Sequence, residues 1–181
     1  MIIGLSGKKG SGKTTVAEYL KKNIEESHVV AFADPLKEMV SKLFGVPMFQ
    51  LNGTQEQKNI MGPTGRTGRE LMQAAGCSMR AIWPQCWVNA WRDEVNELYG
   101  QCGVVPVIVP DVRFMNEVNT IKMMGGIVVR LTRCPVGGDL HESETALDGK
   151  NVFDAVVDNA LLTEDETNVE ILRMCREWGI M

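Results

Sequence analysis

Gly7, Gly12, Lys13 and Thr14 hold the fixed positions of G-x-x-x-x-G-K-[ST] within the run Gly7-Lys8-Lys9-Gly10-Ser11-Gly12-Lys13-Thr14. Glycines let the backbone curl so that successive N–H groups point inward at an anion, and a helix beginning there adds the positive end of its dipole. In such a loop the lysine reaches the β- and γ-phosphates, while the threonine hydroxyl sits on a Mg²⁺ that bridges phosphate oxygens. The flanks fit this chemistry. Apolar residues 1–5 read as a buried strand, and Val16, Ala17 and Leu20 recur at helical spacing over 15–23. The run reads as a phosphate-binding loop.

Other charged residues stand where an open α/β sheet collects ligands, beyond the carboxyl ends of strands. Asp111 and Arg113 follow a strand ending at Val109, Asp34 follows one ending at Phe32, and Arg133 follows one ending near Thr132. An arginine fork grips a phosphate through parallel hydrogen bonds, and a nearby carboxylate accepts from a sugar hydroxyl or base or holds a metal-bound water. Asp111 with Arg113 therefore reads as a substrate clamp. The alternative for each charge is a helix cap or a solvated surface residue; Asp34, followed by Pro35, suits a cap equally well.

The elements that must carry these residues are legible as alternating patterns. Strands are expected at 28–32, at 104–109, at 127–131 and at 155–157, with Pro106 pushing the regular part of the second of these to begin at Val107. Helical spacing is expected from Leu36 to Phe44 with Gly45 as a stop, around Leu71, Met72 and Ala75, from Trp87 to Leu98, from Phe114 to Met124, and over 166–178. Residues 47–68 decay into polar residues and glycines and read as a long surface excursion. Strands separated by helices predict an α/β, three-layer P-loop NTPase fold with a mainly parallel five-stranded sheet. One domain over 1–181 is expected, with a substrate-binding helical excursion at about 47–100 and a lid at about 133–150.

Composition narrows the class. The 181 residues are 44% hydrophobic and 23% charged, enough for a core without an apolar run that spans a bilayer. The start of the chain lacks a basic segment and cleavage site, so a cytoplasmic location is expected. Five cysteines lack a C-x-x-C pair, and the two histidines lie far apart, which argues against a disulfide framework or zinc site. A net charge of −4 argues against a broad nucleic-acid-binding face. Trp83, Trp91 and Trp178 offer a surface for a homodimer if exposed, although burial in one core is the simpler reading.

Several separated segments together resemble the deoxynucleoside monophosphate kinases of tailed phages, a branch of the P-loop nucleoside monophosphate kinase group. They are Leu5-Ser6-Gly7 through Thr14, Asp34-Pro35-Leu36-Lys37, Gly68-Arg69-Glu70-Leu71-Met72-Gln73 with Gly76, Arg80 with Trp87-Val88, and Val109-Pro110-Asp111-Val112-Arg113 with Glu117. Gly125-Gly126, Arg130 to Arg133, His141-Glu142-Ser143-Glu144 and Asp158-Asn159 continue the order. The resemblance implies that ATP with Mg²⁺ sits on Gly7, Gly10, Ser11, Gly12, Lys13, Thr14 and Thr15, with Thr14 toward the metal. It implies further that Lys37, Arg69, Gly76, Arg80, Trp87, Asp111, Arg113 and Glu117 hold a small nucleoside monophosphate. In that reading Lys37, Arg69 and Arg80 neutralise the phosphate, Trp87 packs on base or sugar unless it faces the core with Trp91, and Glu117 locks Arg113 or reads the base. Transfer of the γ-phosphoryl group of ATP to a deoxynucleoside monophosphate follows as the expected activity. Lys13 and Arg133 would neutralise the transferring group, Arg133 from a lid with Arg130 as the alternative. Asp34 or Asp111 would orient a Mg²⁺-bound water or the acceptor, and residues near Asn159 would border the adenine. Phosphomevalonate kinases are similar around Asp34, Asp111 and His141, and a P-loop module that only senses or hydrolyses ATP is the reading outside the transferases.

Overall fold

The computed structural model describes residues 1–133 and 141–180. Its strands are β1 (Ile2–Gly7), β2 (His28–Val29), β3 (Val107–Val112), β4 (Ile127–Leu131) and β5 (Ala155–Val157). They form one five-stranded sheet in the order β2-β3-β1-β4-β5 with every pairing parallel. The helices are α1 (Lys13–Asn23), α2 (Asp34–Phe44), α3 (Met48–Asn52), α4 (Gln55–Lys58), α5 (Gly68–Ile82), α6 (Cys86–Cys102), α7 (Met115–Met123), α8 (Glu142–Thr145) and α9 (Glu164–Glu177).

Two compact units divide the chain. The first, Met1–Ala31 with Glu94–Met181, carries the sheet; the second is a helical unit over Phe32–Asp93. This second unit begins before residue 47 and takes in α2. Its residues 47–68, expected as surface loop, contain the short helices α3 and α4. The second of these is set by a reciprocal cap, in which Thr54 Oγ1 accepts from the Gln57 amide while Gln57 Oε1 accepts from the Thr54 amide.

In the sheet unit, β1 lies between β3 and β4 with both edges paired, and its residues from Ile2 to Ser6 are buried, those up to Leu5 as an apolar run. Val16, Ala17 and Leu20 of α1 and Ile171, Leu172 and Cys175 of α9 pack with Ile3, Leu5, Val129 and Leu131 in one buried cluster. Gly126 enters β4 where no side chain fits: a Cβ there would lie 2.8 Å from the Ile2 carbonyl oxygen and 2.7 Å from Ile121 Cγ2. Because one of those atoms is backbone, Gly126→Ala is expected to destabilise the fold by about 1–3 kcal/mol, read as a lower midpoint in chemical denaturation.

β3 corrects the sequence reading. It does begin at Val107, with the Pro106 carbonyl accepting from the His28 amide at 2.9 Å, but it continues through Pro110 and Asp111 to Val112. The β1–β3 register shifts between Gly4 and Ser6, and this irregularity lets the strand pass a residue that has no N–H to give. Asp111 is therefore part of the strand, and Arg113 is the first residue beyond it. β2 ends at Val29, three residues short of expectation; Val30 still donates to the Ile108 carbonyl at 3.0 Å.

Within the helical unit, Leu36, Val40, Val46, Leu51, Leu71 and Trp87 form a separate buried cluster. α2 begins at Asp34 with Ala33 as its N-cap residue and ends at Gly45 in the left-handed conformation. The cap alternative for Asp34 is not what is seen: it occupies the first helical position, and its Oδ1 accepts from Lys37 Nζ at 2.7 Å. Trp91 is fully buried against Phe32, ring centroids 4.6 Å apart, whereas Trp83 is 54% exposed. Trp178 packs on the sheet-unit core.

Candidate active site

The loop between β1 and α1 has the curl its glycines permit. Gly7, Gly10 and Gly12 all take positive φ, and Gly12 itself is the N-cap of α1. At Gly7 a Cβ would sit 2.5 Å from Ser11 Oγ and 2.6 Å from the Leu131 carbonyl oxygen, so the loop closes over β4 only with glycine there. Asn159, fully buried after β5, donates from Nδ2 to the Ser11 carbonyl at 3.0 Å and steadies the loop from behind. Arg133 joins the same region, Nε donating to the Asn159 carbonyl at 3.3 Å and Nη2 to the Leu162 carbonyl at 3.2 Å.

Lys13 is only 8% exposed. Its ammonium donates to the carbonyls of Gly7 (2.6 Å) and Lys8 (2.7 Å) and to Ser11 Oγ (3.3 Å). Its pKa is lowered to about 7, chiefly by burial and then by the Arg113 and Arg130 charges, with Glu144 and Asp111 acting in the opposite sense. These groups come from β3, the residue after it, β4 and α8, so the carboxyl end of the sheet gathers charge of both signs around the loop lysine.

Arg113 leads away from the strand. Its backbone amide and that of Phe114 donate to Glu117 Oε2 at 2.7 and 3.0 Å, which makes the buried Glu117 the carboxylate that organises the start of α7. The guanidinium of Arg113 donates from Nη1 to the Ser143 carbonyl at 3.0 Å and to Glu144 Oε1. Arg130, inside β4, reaches Ser6 Oγ at 3.4 Å and pairs with Asp148 at 2.7 Å while stacking over Phe153, its guanidinium carbon 5.2 Å from the ring centroid. Asp148 also pairs with Lys8 at 2.8 Å, and this hydrogen bond is the main reason its carboxyl pKa is lowered. Arg130, the less favoured candidate, thus acts on Lys13 through its charge, while Arg133 binds carbonyls beyond β5. Of the lid expected at 133–150, residues 134–140 lie outside the described residues.

In the helical unit, Gly76, Arg80 and Trp87 come together. Trp87 Nε1 donates to the Gly76 carbonyl at 3.4 Å, and a Cβ on Gly76 would fall 3.4 Å from Arg80 Nη1 and 3.2 Å from Leu36 Cδ2. Trp87 is 7% exposed and belongs to the apolar cluster, so its ring serves the core of this unit. Arg69 donates from Nη2 to Gln55 Oε1. Lys37 is paired with Asp34. Glu70, inside the Arg-Glu-Leu-Met-Gln segment, accepts from the Thr67 amide at 2.8 Å and caps α5.

The sequence assigns no role to Glu144, within His141-Glu142-Ser143-Glu144, or to Asp148. No local pattern marks either, because their partners Arg113, Lys9 and Lys8 are remote in sequence.

The donor set fits a magnesium-bound triphosphate: three positive-φ glycines, a buried lysine, and Thr14 exposed on the first turn of α1. Among the described residues no group of three or more histidine, cysteine or carboxylate side chains is placed to hold a metal ion. Parallel strands in this order, with such a loop leading from a central strand into the first helix, define a P-loop α/β protein. The fold is similar to that of the Deinococcus radiodurans tunicamycin resistance protein, with a TM-score of 0.54 at 14% identity over 99% of this chain and 96% of that one. No family model matches the chain. Over 180 residues it is 34% identical to a protein of Acanthamoeba polyphaga mimivirus described as "Putative deoxynucleotide monophosphate kinase", the match covering 91% of each. The chain belongs to the deoxynucleotide monophosphate kinase family. Among the described residues no helix is long and apolar enough to cross a membrane.

Proposed function

We propose that this protein transfers the γ-phosphoryl group of ATP to a deoxynucleoside 5′-monophosphate, giving ADP and the diphosphate. The observation that supports this most is the assembly around Lys13: a phosphate loop whose lysine shares its surroundings with Arg113, Arg130, Asp111 and Glu144 at the carboxyl end of a parallel sheet. Phosphoryl transfer asks for in-line placement and charge neutralisation rather than a covalent intermediate, and an ionised acceptor phosphate needs no strong base.

In this reading Gly7, Gly10, Ser11, Gly12, Lys13, Thr14 and Thr15 hold the triphosphate, and Thr14 Oγ1 would hold Mg²⁺. The metal, when bound, offsets charge on the phosphate oxygens. Arg113 is the acceptor-side cation best placed by the sheet unit, with Asp111 beside it, while Glu117 fixes the turn that presents it. Lys37 on α2 and Arg69 and Arg80 on α5 are the cations that the helical unit offers to a phosphate dianion. Arg130 joins Lys13 in neutralising the transferring group, and Arg133 braces the Asn159 loop on the nucleoside side.

Incubation with ATP, Mg²⁺ and a panel of deoxynucleoside monophosphates, ribonucleoside monophosphates and phosphomevalonate tests the reading. Formation of a deoxynucleoside diphosphate supports it. Turnover of phosphomevalonate alone, or ATP loss without any phosphorylated acceptor, overturns it.

The depressed pKa of Lys13 gives a second expected result. In the free protein the ammonium loses its proton around pH 7, and phosphate anions placed against it raise that pKa, so binding draws a proton from solvent. Affinity for a nucleotide polyphosphate is therefore full below pH 7 and falls as pH rises through the bound-state pKa. Calorimetry in buffers of different ionisation enthalpy should show net proton uptake on ADP binding at pH 7.5 to 8, and none in Lys13→Met.

A further inference from the structure

Glu144 lies on α8, a helix of four residues whose N-cap is His141. Its side chain is 8% exposed, so a bare carboxylate there is costly unless each oxygen is met. Both are. Oε1 accepts from Arg113 Nη1, and Oε2 accepts from the backbone amide of Lys9 at 2.8 Å, inside the phosphate loop. Ser143 adds its carbonyl to the same guanidinium at 3.0 Å. The turn that presents Glu144 is itself fixed, since the Ser143 amide donates to His141 Nδ1 at 3.2 Å and Thr145 Oγ1 donates to the His141 carbonyl at 3.5 Å. One carboxylate thereby spans a separation of 135 residues to the donor loop and 31 residues to the arginine beyond β3.

We infer that Glu144 is a positioning residue for the transfer reaction, tying the acceptor-side Arg113 to the donor-side phosphate loop so that the two phosphates meet at a fixed separation. The inference rests on the function proposed above. A guanidinium held at one nitrogen keeps its remaining N–H groups aimed in a defined direction, which lowers the ordering cost when an acceptor phosphate arrives. The same carboxylate also offsets the repulsion between Arg113 and Lys13: of the groups acting on the lysine, Arg113 and Arg130 disfavour its charge and Glu144 and Asp111 favour it. Besides these, only the Gly7 and Lys8 carbonyls and Ser11 Oγ bond its ammonium among the described residues.

Glu144→Gln keeps the shape and an acceptor oxygen but removes the charge, and Glu144→Asp keeps the charge on a shorter arm. With Glu144→Gln the acceptor KM should rise about tenfold, the loss expected when one charge-assisted bond is weakened, with kcat changing less. With Glu144→Asp, whose arm is too short to hold both partners but keeps the charge, the acceptor KM should rise less than with Glu144→Gln. A merely structural role would lower thermal stability and leave the acceptor KM in place. An unchanged acceptor KM in folded Glu144→Gln overturns the inference. If the wild-type protein phosphorylates no deoxynucleotide, the proposed function fails, whereas the ADP dissociation constant of folded Glu144→Gln, weakened if the Lys9 amide loses its partner and unchanged if not, still decides whether Glu144 acts on the loop. Should Glu144→Gln not fold, Glu144→Asp carries the test, and a wild-type acceptor KM there overturns the positioning role.

Discussion

Lys13→Ala is expected to lower the rate of phosphoryl transfer by about three orders of magnitude, the scale seen when a preorganised charge-stabilising donor is removed from an active site. The ammonium sits at the turn of the loop, bonded to the Gly7 and Lys8 carbonyls, within reach of any phosphate that the loop amides hold. Its depressed pKa shows that desolvation already works against the charge, so its electrostatic pull on an incoming anion is strong and little reorganisation is needed. Removing an already disfavoured buried cation should leave the fold intact. Single-turnover transfer from ATP, measured beside thermal unfolding of the same preparation, separates the two effects. A folded variant that keeps more than a tenth of wild-type transfer would remove Lys13 from the mechanism.

Arg113→Ala should act differently, raising the acceptor KM by about 100-fold with a smaller change in kcat, in line with the loss of a charge-assisted contact to a phosphate dianion. Its guanidinium is presented by a short chain of dependencies: β3 passes Pro110, Val112 anchors against Ser6 in the sheet, Glu117 fixes the amide, and Glu144 takes one nitrogen. Truncation also leaves the buried Glu144 carboxylate with the Lys9 amide but without its cation, so a loss of stability should accompany the kinetic change. The double variant Arg113→Ala with Glu144→Gln should recover that stability without recovering acceptor affinity. Steady-state rates against acceptor concentration at saturating ATP, with denaturation midpoints, provide the check.

How far the chain could be read before its structure depended on how local each signal was. β4 and β5 came out at their observed bounds, and α2 ran to Gly45 as its spacing implied, because each is written in a few adjacent residues. The phosphate loop was legible for the same reason. β3 was cut short at Val109 since proline is a strand breaker in isolation, and only the register shift against β1 accommodates it. α3 and α4 hid within a polar stretch whose Thr54–Gln57 cap is a reciprocal pair rather than an apolar periodicity. Glu117 was linked to Arg113 by helical spacing, and the two do meet, but through the arginine's backbone amide. Glu144 and Asp148 were beyond reach: each earns its place from partners that the topology of the sheet unit brings near, such as Lys9 and Lys8.

The bond from Asn159 to the Ser11 carbonyl couples two regions of unequal sturdiness. β5 is an edge strand of three residues, paired on one side only and carrying a Val156 that is 59% exposed, the sort of segment whose fraying costs least. Fraying of β5 would carry Asn159 away from the Ser11 carbonyl and remove that support from the curl around Gly10 and Gly12. Deuterium uptake along the sheet margin and order in the nucleotide cradle should therefore rise and fall together, so that a ligand gripped by the loop protects amides at the far end of β5 that it never touches.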